Sequence, residues 1–134
     1  MTREQINIVK RTWKIVMLID PSIIGDAFYT KLFNDQPAIR RLFPEDMEKQ
    51  YLKLVDMLTY IVTRLDRLDE AVEEIAAMAA RHVDYGVKAV HYDLVGVALL
   101  WTLHVALKDE WNDEVQQAWS DCYKLLSEAM LDKV

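Results

Sequence analysis

Apolar residues in this chain recur every three or four positions rather than every second one, which is the period of amphipathic helices. Ile6, Val9, Trp13, Val16 and Met17 trace a first stripe that stops at Asp20-Pro21. Pro21 suits the first turn of a second helix with Asp20 as its cap. That helix carries Ile24, Phe28, Leu32 and Phe33 up to Asn34-Asp35. Gln36-Pro37 opens a short helix that closes before Pro44, because the residue preceding a proline avoids helical geometry. Glu45 or Asp46 begins a longer helix bearing Met47, Tyr51, Leu54, Leu58, Ile61, Val62 and Leu65. Asp69 caps the next, Glu70 to about Asp84, which ends at Gly86 as a C-terminal glycine should. Two further stripes follow: Tyr92, Val95, Leu99, Leu103 and Ala106, then Val115, Ala118, Trp119, Cys122, Leu125, Leu126, Ala129 and Met130. The pattern predicts one all-α domain over residues 1–134, with six substantial helices and a short one. Without a heptad seam, crossed packing is expected rather than a parallel bundle.

Composition narrows the chemistry. Three glycines leave no room for a glycine-rich phosphate cradle. Sixteen basic against 22 acidic residues give a net charge of −6, a poor match for nucleic acid. The lone Cys122 excludes an internal disulfide scaffold and a Cys-rich zinc site, and fits a reducing compartment. Met1-Thr2-Arg3-Glu4-Gln5 lacks the apolar core of a signal peptide. The most apolar stretch, Leu94 to Leu107, is shorter than the roughly 20 residues a membrane span needs. A cytoplasmic protein, without membrane or nucleic-acid partners and monomeric or weakly dimeric, is therefore expected. Any metal chemistry through imidazole falls to His82, His91 or His104.

Three polar residues sit where their helices favour apolar ones. Tyr29 follows Phe28 one turn before Leu32 and Phe33. Gln50 lies on the face of Met47, Leu54 and Leu58, and His82 on that of Ile75, Met78 and Ala79. Each alone could be a satisfied core group. Together they would place an imidazole on one side of a cavity and two neutral donors on the other.

The order of several short motifs resembles the globins, and more closely the haem domain of bacterial flavohaemoglobins and their single-domain relatives. They are Phe28-Tyr29-x-x-Leu32-Phe33 with Phe43 beyond it, Gln50-x-x-Lys53-Leu54, Arg81-His82-Val83-x-Tyr85-Gly86-Val87, Tyr92-Asp93-Leu94-Val95-Gly96 and Ala118-Trp119-x-x-x-Tyr123. The resemblance implies a globin fold and haem b, with His82 as the iron ligand and the Met78 carbonyl as acceptor for its other ring nitrogen. Phe43 would stack on the macrocycle, and Leu54, Leu58, Val87, Val95 and Leu99 would complete an apolar slot. Tyr92 would lie on the proximal side. Lys53 and Arg81 would meet the propionates or stand as plain surface charges. Tyr29 and Gln50 would be the distal, ligand-stabilising pair, donating to a diatomic gas that takes on negative charge. The short segment between Phe43 and Gln50 implies that the usual small fourth helix is absent.

Two activities follow from the resemblance: reversible binding of dioxygen and other diatomic gases, or conversion of nitric oxide and dioxygen to nitrate. The second needs an electron, and the chain reaches Val134 without the flavin reductase of the flavohaemoglobins, so an external reductase is expected. Those proteins also pair the tyrosine at the position of Tyr92 with a glutamate in the last helix. By count that glutamate would fall at Val134, and Glu128 is nearly two turns early. Tyr51 is bulky where globins often keep a small residue at a helix crossing. His91 and His104 read as structural, and Cys122 as an inert core residue. The acidic run Asp66, Asp69, Glu70, Glu73 and Glu74 reads as a solvated helix start.

Overall fold

Thr2 opens the chain with a reciprocal cap, its hydroxyl accepting from the Gln5 amide while the Gln5 side chain accepts from the Thr2 amide. The cap starts α1 (Arg3–Val16). Asp20 caps α2 (Pro21–Asp35) by accepting from the Ser22 amide, as the Asp-Pro pair predicts. A 3-10 turn over Pro37–Leu42 follows, then α3 (Glu48–Thr63), α4 (Val72–Asp84), α5 (Ala89–Leu107) and α6 (Asp113–Leu131). The computed structural model describes residues 1–84 and 86–131, apart from the Asp84 side chain, and has no strand among them. No helix lies between Leu42 and Glu48, so the small fourth helix is absent there, as the short segment predicts.

Two boundaries differ from the sequence pattern. α3 begins at Glu48 rather than at Glu45 or Asp46. Asp69 caps nothing: Leu65–Ala71 is a 3-10 segment kinked at Arg67 (φ −149°, ψ 52°), and α4 starts only at Val72. The apolar stripe crosses this kink because Leu65 and Ala71 are buried on either side of it, so periodicity alone does not reveal the break. α4 ends where expected, with Gly86 at φ +85°, a conformation that L side chains rarely adopt.

α1 is joined to α6 by a buried side-chain bond and to α3 by a partly buried one. Trp119 Nε1 donates to Thr12 Oγ1 at 2.9 Å, and Trp13 Nε1 donates to Thr59 Oγ1 at 3.1 Å. α2 crosses α3 at Gly25, where an added Cβ would stand 2.4 Å from Tyr51 Cβ and 2.6 Å from its Cα. The small residue that lets two backbones approach is thus on α2, and the bulky Tyr51 is accommodated on α3. The larger core gathers α1, α2, α3, α5 and α6 around Phe28, Leu32, Leu103 and Trp119. A smaller cluster of Ile61, Ala71, Ile75, Met78, Ala79, Tyr92 and Met130 seats α4. Between the two clusters lies a cavity.

Candidate functional site

That cavity measures about 660 Å³, within the range of small-molecule and cofactor sites. α2 contributes Tyr29; α3 contributes Gln50, Lys53, Leu54 and Leu58; α4 contributes Arg81 and His82; α5 contributes Tyr92, Val95 and Leu99. Val87 lines it from the segment between α4 and α5. Every residue the sequence singled out for a pocket is therefore in its wall except Phe43. Phe43 stands behind Tyr29, with ring centroids 5.2 Å apart, and also meets Phe33 at 5.5 Å. Tyr85 and Val134, both used in the sequence comparison, lie outside the described residues.

On the α4 side, His82 Nδ1 is 2.7 Å from the Met78 carbonyl one turn earlier. A carbonyl only accepts, so Nδ1 carries the proton and Nε2 the lone pair in the neutral ring. On the α2–α3 side, Gln50 Nε2 donates to the Tyr29 hydroxyl at 3.0 Å. The register of α3 is thereby fixed: Gln50, not its neighbour Tyr51, is hydrogen-bonded to the Tyr29 hydroxyl. Because Gln50 donates to the phenol oxygen, the phenol keeps its own proton to donate elsewhere. Burial pushes Tyr29 up to about 12, so it remains a neutral donor at ordinary pH.

Tyr29 is the hub of an aromatic cluster. Phe28 meets it edge-on at 4.9 Å, and Tyr51 stacks on it at 5.9 Å. Arg40 secures the approach to this cluster in a way no local sequence signal foretells. Its guanidinium donates to the carbonyls of Phe43 (3.2 Å), Pro44 (2.8 Å) and Glu45 (3.0 Å), and lies 5.3 Å over the Phe33 ring.

Other residues in the wall were legible only as continuations. Met57 and Tyr60 prolong the stripe of Gln50, Lys53 and Leu54, and Glu74 and Met78 lead at four-residue steps to His82. Tyr123 lines the far end, and its hydroxyl donates to the Tyr92 carbonyl. The remaining histidines stand apart. His91 Nδ1 accepts from the Lys88 amide at the start of α5, and His104 stacks on Trp111. Cys122 is buried, and desolvation raises its thiol to about 12.

The donor set discriminates among cofactors. Among the described residues no three His, Cys, Asp or Glu side chains gather to hold a bare metal ion. A single imidazole in a mostly apolar slot suits a metal that brings its other ligands with it, as an iron porphyrin does. Lys53 and Arg81 at the rim supply positive charge for carboxylates on such a group.

A family model for globins matches residues 26–130. The flavohemoprotein of Vibrio cholerae is 26% identical over 99% of this chain, which spans 34% of that protein, about a third of its length. A globin-like protein of Aquifex aeolicus is 30% identical, over 98% of this chain and 92% of its own. Among solved structures, an engineered carbene transferase, a proposed nitric oxide dioxygenase of Rhodothermus marinus, superposes with a TM-score of 0.89 at 26% identity, covering 99% of this chain and 92% of that one. Helix order, the cavity between the two apolar clusters and these likenesses agree: the chain belongs to the globin family, whose members carry haem.

Proposed function

We propose that this chain seats haem b in the 660 Å³ cavity and binds dioxygen and other diatomic gases reversibly and tightly. One observation carries this reading: His82 and the Tyr29–Gln50 pair line the same cavity from different helices. The haem would supply an iron with one position for the imidazole and one for a gas. His82 would hold that iron through Nε2, with the Met78 carbonyl orienting the ring and favouring the correct tautomer. Leu54, Leu58, Val87, Val95 and Leu99 keep water from the slot, so donors inside it act at low dielectric. Phe43 braces the Tyr29 ring from behind. Lys53 and Arg81 would pair with propionates at the rim.

Tyr29 donates its proton toward the gas, and Gln50, by donating to the phenol oxygen, holds that hydroxyl in place. A net hydrogen bond of about 1–1.5 kcal/mol is roughly a tenfold change in affinity, so the Tyr29 donor slows gas release by about tenfold. Absorption spectra of the ferric, ferrous and oxygenated protein test the reading. A Soret band with reversible oxygenation is expected, and a chain purified and reconstituted without one would refute it.

A second reading is favoured by the flavohemoprotein and proposed dioxygenase relatives. It is conversion of nitric oxide and dioxygen to nitrate, with one electron per turnover from a reductase outside this globin unit. The same Tyr29–Gln50 pair would serve it. Sustained nitric oxide consumption with an added reductase supports this activity, whereas a single stoichiometric burst favours the binder.

A further inference from the structure

α5 is apolar on nearly every side, a composition that suits burial all round. With the turn after it, Ala89–Glu110 is long and apolar enough to cross a membrane, yet only 33% of its most apolar 18-residue window is buried within the chain. Its inner face is accounted for, because Tyr92, Ala98, Leu99 and Leu103 belong to the core and the cavity wall. Its outer face is covered only at Trp101, by Lys31. Val90 is 62% exposed, Val97 55%, Val105 50% and Trp101 41%, and half-buried Leu94 falls between the first two. Positions 90, 94, 97, 101 and 105 lie three or four residues apart, so they form one continuous stripe about 22 Å long. Monomers rarely leave contiguous apolar strips in water.

We propose that this face of α5 is a two-fold interface with a second copy of this chain, the two α5 helices running antiparallel. The charges beside the stripe decide both the occupant and the direction. Asp93 and His104 are exposed along one edge of it, about three helical turns apart. In a parallel two-fold pair the edges that carry Asp93 and His104 would fall on opposite sides of the seam, so neither residue would meet a charged or polar partner across it. In an antiparallel pair centred between Ala98 and Leu99, Asp93 of each copy faces His104 of the other, whose ring N–H donates to the carboxylate. Opposed helix dipoles favour the same direction. The two aromatic residues at the seam are already oriented: Lys31 Nζ lies 5.8 Å over the Trp101 ring, and His104 stacks on Trp111 at 5.4 Å with 16° between planes. A lipid surface would instead have to take in the Asp93 carboxylate unpaired. The contact is about one helix wide, below the roughly 800 Å² per partner of a standard stable interface, so association in the micromolar range is expected.

The proposal concerns the outer face of α5 and holds whether or not the cavity contains haem. Sedimentation equilibrium of the full chain, apo and haem-loaded, from about 1 to about 300 µM tests it. The mass should rise from 15.7 kDa toward twice that value. Val97→Glu, at an exposed position, should weaken association at least tenfold with the thermal melt unchanged. Asp93→His and His104→Asp should each weaken association, and the double exchange should restore it, since the two-fold simply swaps the partners. A wild-type chain that stays monomeric throughout overturns the proposal, as does a dimer that Val97→Glu leaves intact. Monomers that bind phospholipid vesicles through this face, and lose that binding in Val97→Glu, would overturn it in favour of a membrane surface.

Discussion

On the α2–α3 side of the cavity, Tyr29 sits among four other aromatic rings and bonds across to Gln50. On the α4 side, His82 bonds to the backbone of its own helix. The first wall is held by side chains that bridge separate elements: Tyr51 against Gly25, Arg40 clasping the Phe43–Glu45 segment, Phe33 beneath Arg40. The second is an alanine-rich helix that follows a kinked 3-10 segment and buries only a narrow face of Ile75, Met78 and Ala79. The difference teaches where an occupant matters. A wall built from interlocking rings keeps its shape alone, whereas a helix with few buried contacts is drawn from the low-stability end of a structure and is steadied by whatever fills the space beside it.

Four experiments break or sharpen this contrast. His82→Ala should have the largest effect, abolishing or greatly weakening haem retention; the Soret absorbance per chain after reconstitution measures it, and full occupancy would contradict the assignment of His82. Removing haem from the native chain should come next. Amide hydrogen exchange in α4 should rise by about two orders of magnitude or more, while α2 and α3 keep most of their protection. Gly25→Ala attacks the other wall. Its new Cβ would meet the Tyr51 backbone, which cannot step aside, so a loss of about 3 kcal/mol is expected in denaturant unfolding.

Tyr29→Phe is the mildest, leaving the ring in place and removing one donor. It should raise the oxygen dissociation rate about tenfold in stopped-flow measurements. An unchanged rate would reduce Tyr29 to packing. The wild-type rate should in turn stay flat from pH 6 to 10, because burial holds the phenol neutral up to about 12. The sign for stability follows. A folded value above the ordinary 10 means the unfolded chain loses this proton first, so Tyr29 lowers stability as pH climbs from 10 to 12 and contributes no pH dependence below.

Much of this was readable in advance. Asp20-Pro21, Gln36-Pro37 and Gly86 punctuate helices by strictly local chemistry, and the structure breaks the chain there. The polar intruders Tyr29, Gln50 and His82 stood out because each interrupts an apolar stripe, and all three line one cavity. Asp69 misled because capping propensity is local, whereas the start of α4 is set by how Leu65 and Ala71 are buried around the kink at Arg67. Phe43 was assigned to the slot and packs its ring on Tyr29 and Phe33, and Arg40 carried no signal, because both depend on where a loop lands.

The sequence by itself determined the helical period, most of the breaks and the kinds of side chain available, since these follow from backbone geometry and residue type over a few positions. Only the tertiary structure decided which polar groups meet. It gave Gln50 the hydrogen bond to Tyr29 and Tyr51 a ring stack on it, placed the small residue of the crossing at Gly25, and turned one side of α5 outward. These outcomes rest on contacts between segments far apart in the chain, where a shift of one residue in register changes the partner, and no local pattern records that register.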